Sequence, residues 1–204
     1  MSLSQSVLDA TDVSAVTQLI LRERESRDLG RWERMRDCFW PESLVRVSWY
    51  AGDGDGFVEG SIDMARRGVL AKHRITPILV NLNGARAVAA MPAIIDLPVT
   101  LKGVELILSA HARFLYRAEK RDDFWRLMGF DAIYMRDELT SAVPGYSVTI
   151  DPKELQGFRS TYRLLSYYMV SQGYQVDSNL PGEDRPDLVA ALNSELYGWA
   201  GIKL

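Results

Sequence analysis

The chain has only two histidines, and His73, with Asp28, is the first place an acid/base reading goes. Asp28 closes an amphipathic helical stretch just before Gly30 and Trp32, and His73 opens a β-rich run further along. A carboxylate and an imidazole from two elements can meet at one pocket wall. The carboxylate then orients the ring, and the ring takes a proton from a bound ligand. His111 sits on the polar side of an alternating strand, among Glu105, Ser109, Arg113 and Arg117. That neighbourhood points to solvent or a partner subunit, with a place lining a polar pocket as the alternative. Asp131 interrupts Met128, Phe130, Ala132 and Ile133. A carboxylate in mid-strand needs a partner. An arginine on a neighbouring strand such as Arg113 would serve, and a place beside His73 as a pocket acid is the alternative. Trp40, Trp49, Tyr50, Phe57 and Met91 are either the walls of an apolar cavity or ordinary core.

Other chemistries find little support. Two distant histidines and one Cys38 offer no close metal-ligand cluster. There is no glycine-rich phosphate loop and no nucleophile elbow. The run Gly52-Asp53-Gly54-Asp55-Gly56 lacks the glutamate a calcium loop needs and reads as a mobile hairpin tip. No cofactor is expected. The net charge of -3 carries no basic excess, which argues against a nucleic-acid partner. No apolar run approaches the length of a membrane span. A single cysteine and the lack of a signal-peptide pattern suit a reducing cytoplasm. Met1-Ser2-Leu3 reads as a cloning remnant and carries no weight.

The elements that must position these residues follow from periodicity. At 204 residues, 47% hydrophobic and 25% charged, the chain is long enough for one domain with a real core and an appendage. Val13, Val16, Thr17, Ile20 and Arg24 recur at helical spacing, with Thr11 or Asp12 as N-cap. The helix should end near Arg27. A short helix from Trp32 to Phe39 should stop at Pro41. A strand is expected over 44–50 and a helix over 61–70. Four strands are expected over 75–82, 85–100, 104–118 and 124–139, joined by hairpin turns such as Asn83-Gly84 and Lys102-Gly103. Helices first and an antiparallel meander afterwards indicate an α+β fold, with helices on one face of a curved sheet. The division is 1–143 for this domain and 144–204 for a helical extension. Asp151-Pro152-Lys153-Glu154 reads as a capped start for a helix running to Gly173, and residues 187–197 as a last helix.

This order of elements resembles the nuclear-transport-factor-2-like superfamily, and within it the SnoaL-like group that includes scytalone dehydratase and lindane dehydrochlorinase. The resemblance covers roughly residues 10 to 140. It rests on Ser26-Arg27-Asp28-Leu29-Gly30-Arg31-Trp32 followed by Met35, Cys38 and Pro41, on His73 at a strand start, on Asn83-Gly84-Ala85-Arg86-Ala87, and on the stretches 124–127 and 134–137. It implies a cone-shaped α+β fold, with Asp28 as orienting acid and His73 as general base. The chain departs from the dehydratase at Arg27, where that enzyme has tyrosine, and over 91–99, where it has a second histidine. The dehydratase's strand-end tyrosine falls at Trp49 or Tyr50.

The expected function is a cofactor-independent, dehydratase-like lyase or isomerase that abstracts a proton from a small, largely apolar cyclic substrate. Asp28 and His73 are its catalytic pair. Arg27, Trp49, Tyr50, Trp40, Met91 and Asp131 are its candidate substrate contacts, and Arg27, Trp49 or Tyr50 could stabilise the anion formed. The alternatives are a non-catalytic small-ligand-binding protein and a small subunit of an aromatic-ring dioxygenase-type complex. A homodimer or higher oligomer is expected through the polar sheet face at His111 and Arg113.

Overall fold

The computed structural model describes residues 5–203, and Met1-Ser2-Leu3 lie outside them. Helix α1 (Gln5–Asp28) begins before the expected cap. Asp12 instead accepts hydrogen bonds from Trp125 Nε1 at 2.8 Å and Lys120 Nζ at 3.0 Å, so its charge serves a long-range contact. The helix ends as expected, with Gly30 in the left-handed region at φ +68°. Helix α2 (Trp32–Arg36) is shorter than predicted. Pro41 does not stop it, because Pro41 lies inside strand β1 (Phe39–Val47). The pairing of β1 is interrupted between Phe39 and Leu44, so the missing proline N–H falls in the gap.

The Gly52–Gly56 run is not a mobile loop. After the short strand β2 (Tyr50–Gly52), Asp53 caps helix α3 (Gly54–Arg66), its carboxylate accepting the Gly56 N–H at 2.7 Å. Gly54 is buried at the contact. A Cβ there would come within 2.5 Å of the Phe39 ring and 2.7 Å of Ser43 Oγ. The acids and glycines that suggested a hairpin tip are a helix start pressed against β1.

Strands β3 (Lys72–Ile75), β4 (Leu79–Asn83), β5 (Arg86–Leu101), β6 (Val104–Arg121) and β7 (Phe124–Ser141) complete the sheet. The last three form the expected antiparallel meander. The sheet order is β2-β1-β7-β6-β5-β3, with β4 also on β5, and β1 lies parallel to β7. The result is a mixed, curved sheet that does not close, with the N-terminal helices packed against it. Val16 and Ile20 of α1 and Phe57 of α3 share its main core with Phe114 and Phe130.

The tail covers both faces. Asp151 makes the predicted capping box with Glu154, but only a 3-10 turn over Pro152–Leu155 follows. Gly157 at φ +88° turns the chain, and helix α4 (Arg163–Ser171) starts later. Tyr162, Leu165, Tyr168 and Met169 join the main core. Helix α5 (Pro186–Ala200) packs Leu192, Leu196 and Ala200 on Val88, Leu115 and Ile133, on the opposite side of the sheet. Part of the face on which the expected oligomer contact rested is therefore covered by the chain's own last helix. No helix among the described residues is long and apolar enough to cross a membrane.

Candidate active site

The end of α1 and the start of β3 bring Asp28 and His73 together. Asp28 Oδ1 lies 2.6 Å from His73 Nδ1, and Oδ2 accepts the His73 backbone N–H at 2.8 Å. This two-point hold fixes the ring on the strand and sets its tautomer. Asp28 is held below its ordinary carboxylate range: burial opposes this, but the His73 hydrogen bonds and the Arg24 charge outweigh it. An ionised Asp28 requires the proton on Nδ1 and leaves Nε2 as the free acceptor. Nε2 faces Arg24 Nη1 at 3.4 Å, too long for a strong hydrogen bond.

His73 is itself buried, its side chain 4% exposed. Its pKa falls from 6.5 to about 4, first through burial and then through the charges of Arg24 and Arg27, against the Asp28 hydrogen bond that raises it. Unfolding restores the ordinary value. Between pH 6.5 and about 4 the unfolded chain therefore binds a proton that the folded chain does not. Stability is expected to fall as pH drops through that window, by roughly 3 kcal/mol in all. Asp28, lowered rather than raised, loses its own contribution only at still lower pH. Denaturant midpoints on either side of the window check this. A His73→Phe variant should lose the slope, and an unchanged slope would place the acid sensitivity elsewhere.

His73 lies on the wall of a narrow cavity of about 50 Å³, and Asp28 holds the ring from outside that lining. Phe57, Phe114, Phe130, Ile95 and Leu97 form much of its apolar lining, joined by Trp49 from the turn between β1 and β2 and by Leu165 and Met169 from α4. Its polar groups are Arg24, Arg27, Ser48, His73 and Tyr134. The Tyr134 hydroxyl accepts the Ser48 N–H at 2.8 Å.

Arg24 also lines the cavity, beyond the residues the sequence marked. It is 2% exposed, forms an ion pair with the fully buried Glu23, and sits 4.7 Å over the Phe130 ring. A signal existed. Counting by threes and fours from Val16 and Ile20 reaches Glu23, Arg24 and Arg27, charges on the stripe that should face the core.

The other candidates divide. Arg27 and Trp49 line the cavity, and Trp49 stacks on Phe57 with centroids 5.4 Å apart. Tyr50 donates its hydroxyl to the Asp53 carbonyl and lines a neighbouring groove of about 580 Å³. Met91 is fully buried core. Trp40 donates to the Glu119 carbonyl and lies against Arg121 and Arg126, away from the dyad.

Asp131 is neither paired with Arg113 nor near His73. It alternates with Phe130 and Ala132 onto the side covered by α5, where Arg46 Nε meets it at 2.5 Å. The partner comes from β1 because β1 lies alongside β7 with Arg46 opposite Asp131. Burial raises the Asp131 pKa despite this partner. Arg46→Ala should cost about 3–5 kcal/mol by leaving a buried carboxylate unpaired. An unchanged denaturation midpoint would show that Arg117 can replace Arg46.

A PEP2-like protein of Fusarium vanettenii is 28% identical over 163 residues, covering 78% of this chain and 70% of that protein. That share of the chain is longer than residues 1–143, so the likeness reaches into the tail. Among solved structures, a hexachlorocyclohexane dehydrochlorinase superposes with a TM-score of 0.58 at 12% identity, over 72% of this chain and 100% of that one. A scytalone dehydratase-like protein of Novosphingobium aromaticivorans gives 0.55 at 13% identity, over 71% and 94%. These two show a shared fold. The SnoaL-like domain matches residues 9–130, more than half of the chain, and the chain belongs to that family.

Proposed function

We propose that this protein is a cofactor-independent lyase or isomerase of the dehydratase type, acting on a small, largely apolar cyclic molecule. The observation that carries the reading is the hydrogen bond from Asp28 to His73, whose ring lines the cavity. His73 Nε2 takes a proton from a carbon next to an activating group. The C–H electron pair moves into the substrate, and it either forms an enolate or expels a group from the neighbouring carbon. The imidazolium that results is stabilised by the Asp28 carboxylate. Its proton then returns to another carbon or leaves with the departing group, which restores the neutral ring.

The size of the cavity favours a second reading. About 50 Å³ suits a guest near the size of water, whereas a pocket for a ring-sized ligand is several hundred Å³. Catalysis on a ring therefore requires Trp49, Leu165 or Met169 to move aside. If they do not move, a non-catalytic ligand-binding module remains. Incubating a panel of small cyclic ketones in heavy water, with NMR to follow loss of α-protons, separates the two. Exchange that disappears in His73→Ala supports the enzyme. Absence of enzyme-dependent exchange across the panel favours the binding module.

A further inference from the structure

Arg27 is the cavity's unmatched charge. It is 9% exposed and lines the pocket, yet no acid pairs with it among the described residues. Its hydrogen bond within the protein goes to a sulfur, Met64 Sδ at 3.7 Å. Arg24, by contrast, has Glu23, and Asp28 spends both oxygens on His73. A buried guanidinium with five donors and no anion is a costly arrangement. Burial, then the neighbouring Arg24 charge, pulls its pKa to about 10, so it keeps its proton at neutral pH. The groups acting on it are Glu23, Arg24 and Asp28 from its own helix and Tyr174 from the segment after α4. Met64 of α3 touches it, and its charge reaches His73 of β3. The Tyr174 hydroxyl is buried and also has no hydrogen-bond partner among the described residues.

We propose that Arg27 holds an oxygen anion of the ligand, and that the substrates are therefore ring compounds with an enolisable carbonyl whose enolate oxygen docks on this guanidinium. This rests on the base assigned to His73 above and adds where the electrons go. The proton passes from the α-carbon to Nε2, the C–H pair becomes a carbon–carbon double bond, and the carbonyl π pair becomes the oxygen anion on Arg27. Arg27 is fully matched only once that charge forms, and this is where binding energy accelerates a reaction. The anion would also offset one of the two cations that suppress His73, so the ring becomes a better proton acceptor as the substrate becomes an anion.

The test uses p-nitrophenol, a ring with an acidic oxygen whose ionisation is visible by absorbance. Bound to the wild-type protein, it should ionise about one to three pH units below the free compound. Arg27→Met should abolish that shift, and Arg27→Lys should keep part of it. Arg27→Met should also melt at the same or a higher temperature, because it removes an unpaired buried charge. A purely structural Arg27 would instead give a lower melting temperature. The proposal is overturned if the wild type fails to bind the probe, binds only its neutral form, or keeps the shift in Arg27→Met. The His73 reading fails separately. Phenolate binding through Arg27 without any exchange of ketone protons would remove the base and keep the anion site. Exchange lost in His73→Ala, with no Arg27-dependent phenolate shift, would do the reverse.

Discussion

A chain truncated after Ala142 is expected not to fold, although it retains all seven strands and the dyad. Tyr162, Leu165, Tyr168, Met169 and Leu180 are buried in the main core. Each such side chain contributes about 1.5–3 kcal/mol by leaving water. Five of them represent roughly 10 kcal/mol, within the range of the entire stability of a typical domain at about 5–15 kcal/mol. Loss of α5 also uncovers Val88, Leu115 and Ile133 on the other face. Polar ties go with them: Asp137 accepts the Leu165 N–H at 2.8 Å, and Tyr134 exchanges backbone hydrogen bonds with Pro181 and Glu183. The expected result is insoluble material, or a soluble chain without a cooperative melting transition. A truncated protein that melts near the full-length temperature would mean that residues 144–204 are a separable appendage.

The second large effect belongs to the dyad. Once a ketone that exchanges is found, His73→Ala should lower its exchange rate by about 10²–10⁴-fold, the range supplied by a positioned general base. Asp28→Asn should lose a comparable factor. It removes the charge that stabilises the imidazolium, and an amide can also offer N–H to Nδ1 and turn the ring to the wrong tautomer. The Asp28 variant carries a stability effect too, because the His73 backbone N–H is bound to the same carboxylate. Rates should therefore be compared at a temperature where both variants show native circular dichroism. Wild-type exchange in either variant would remove the dyad from the mechanism.

The dyad is readable in the sequence because both residues stand at element boundaries that periodicity locates well: the end of α1 at Gly30 and the change to β-rich sequence at His73. The three long strands are readable for the same reason, with alternation broken by hairpin turns. What is not readable depends on distant partners. Whether Gly52–Gly56 is a loop or a helix start depends on Phe39 and Ser43 pressing on Gly54. Whether Asp131 faces the pocket depends on a one-residue alternation beside Phe130 and on Arg46 lying in the parallel neighbour. Local propensity favours a helix through 155–169, yet Gly157 breaks it and the burial of Leu165 and Met169 over the cavity decides where α4 begins. Arg24 looks like an ordinary exposed helical charge until Glu23 and Phe130 are placed around it.

The parallel neighbour of β1 also bears on how the protein is made. Phe39 aligns with Leu127 and Arg46 with Asp131, so β1 waits for a strand about eighty-five residues downstream. During synthesis from the N-terminus, α1, α2 and β1 emerge long before β7, with one side of β1 lacking its partner strand. Contacts this far apart in sequence are slow to form, and unpaired strand edges in partly made chains are where aggregation starts. The interruption of β1 pairing around Pro41 shortens the stretch able to recruit a wrong strand during that wait. Replacing Pro41 with a good strand former such as valine should therefore change the yield of soluble protein on expression more than it changes the melting temperature of the molecules that fold.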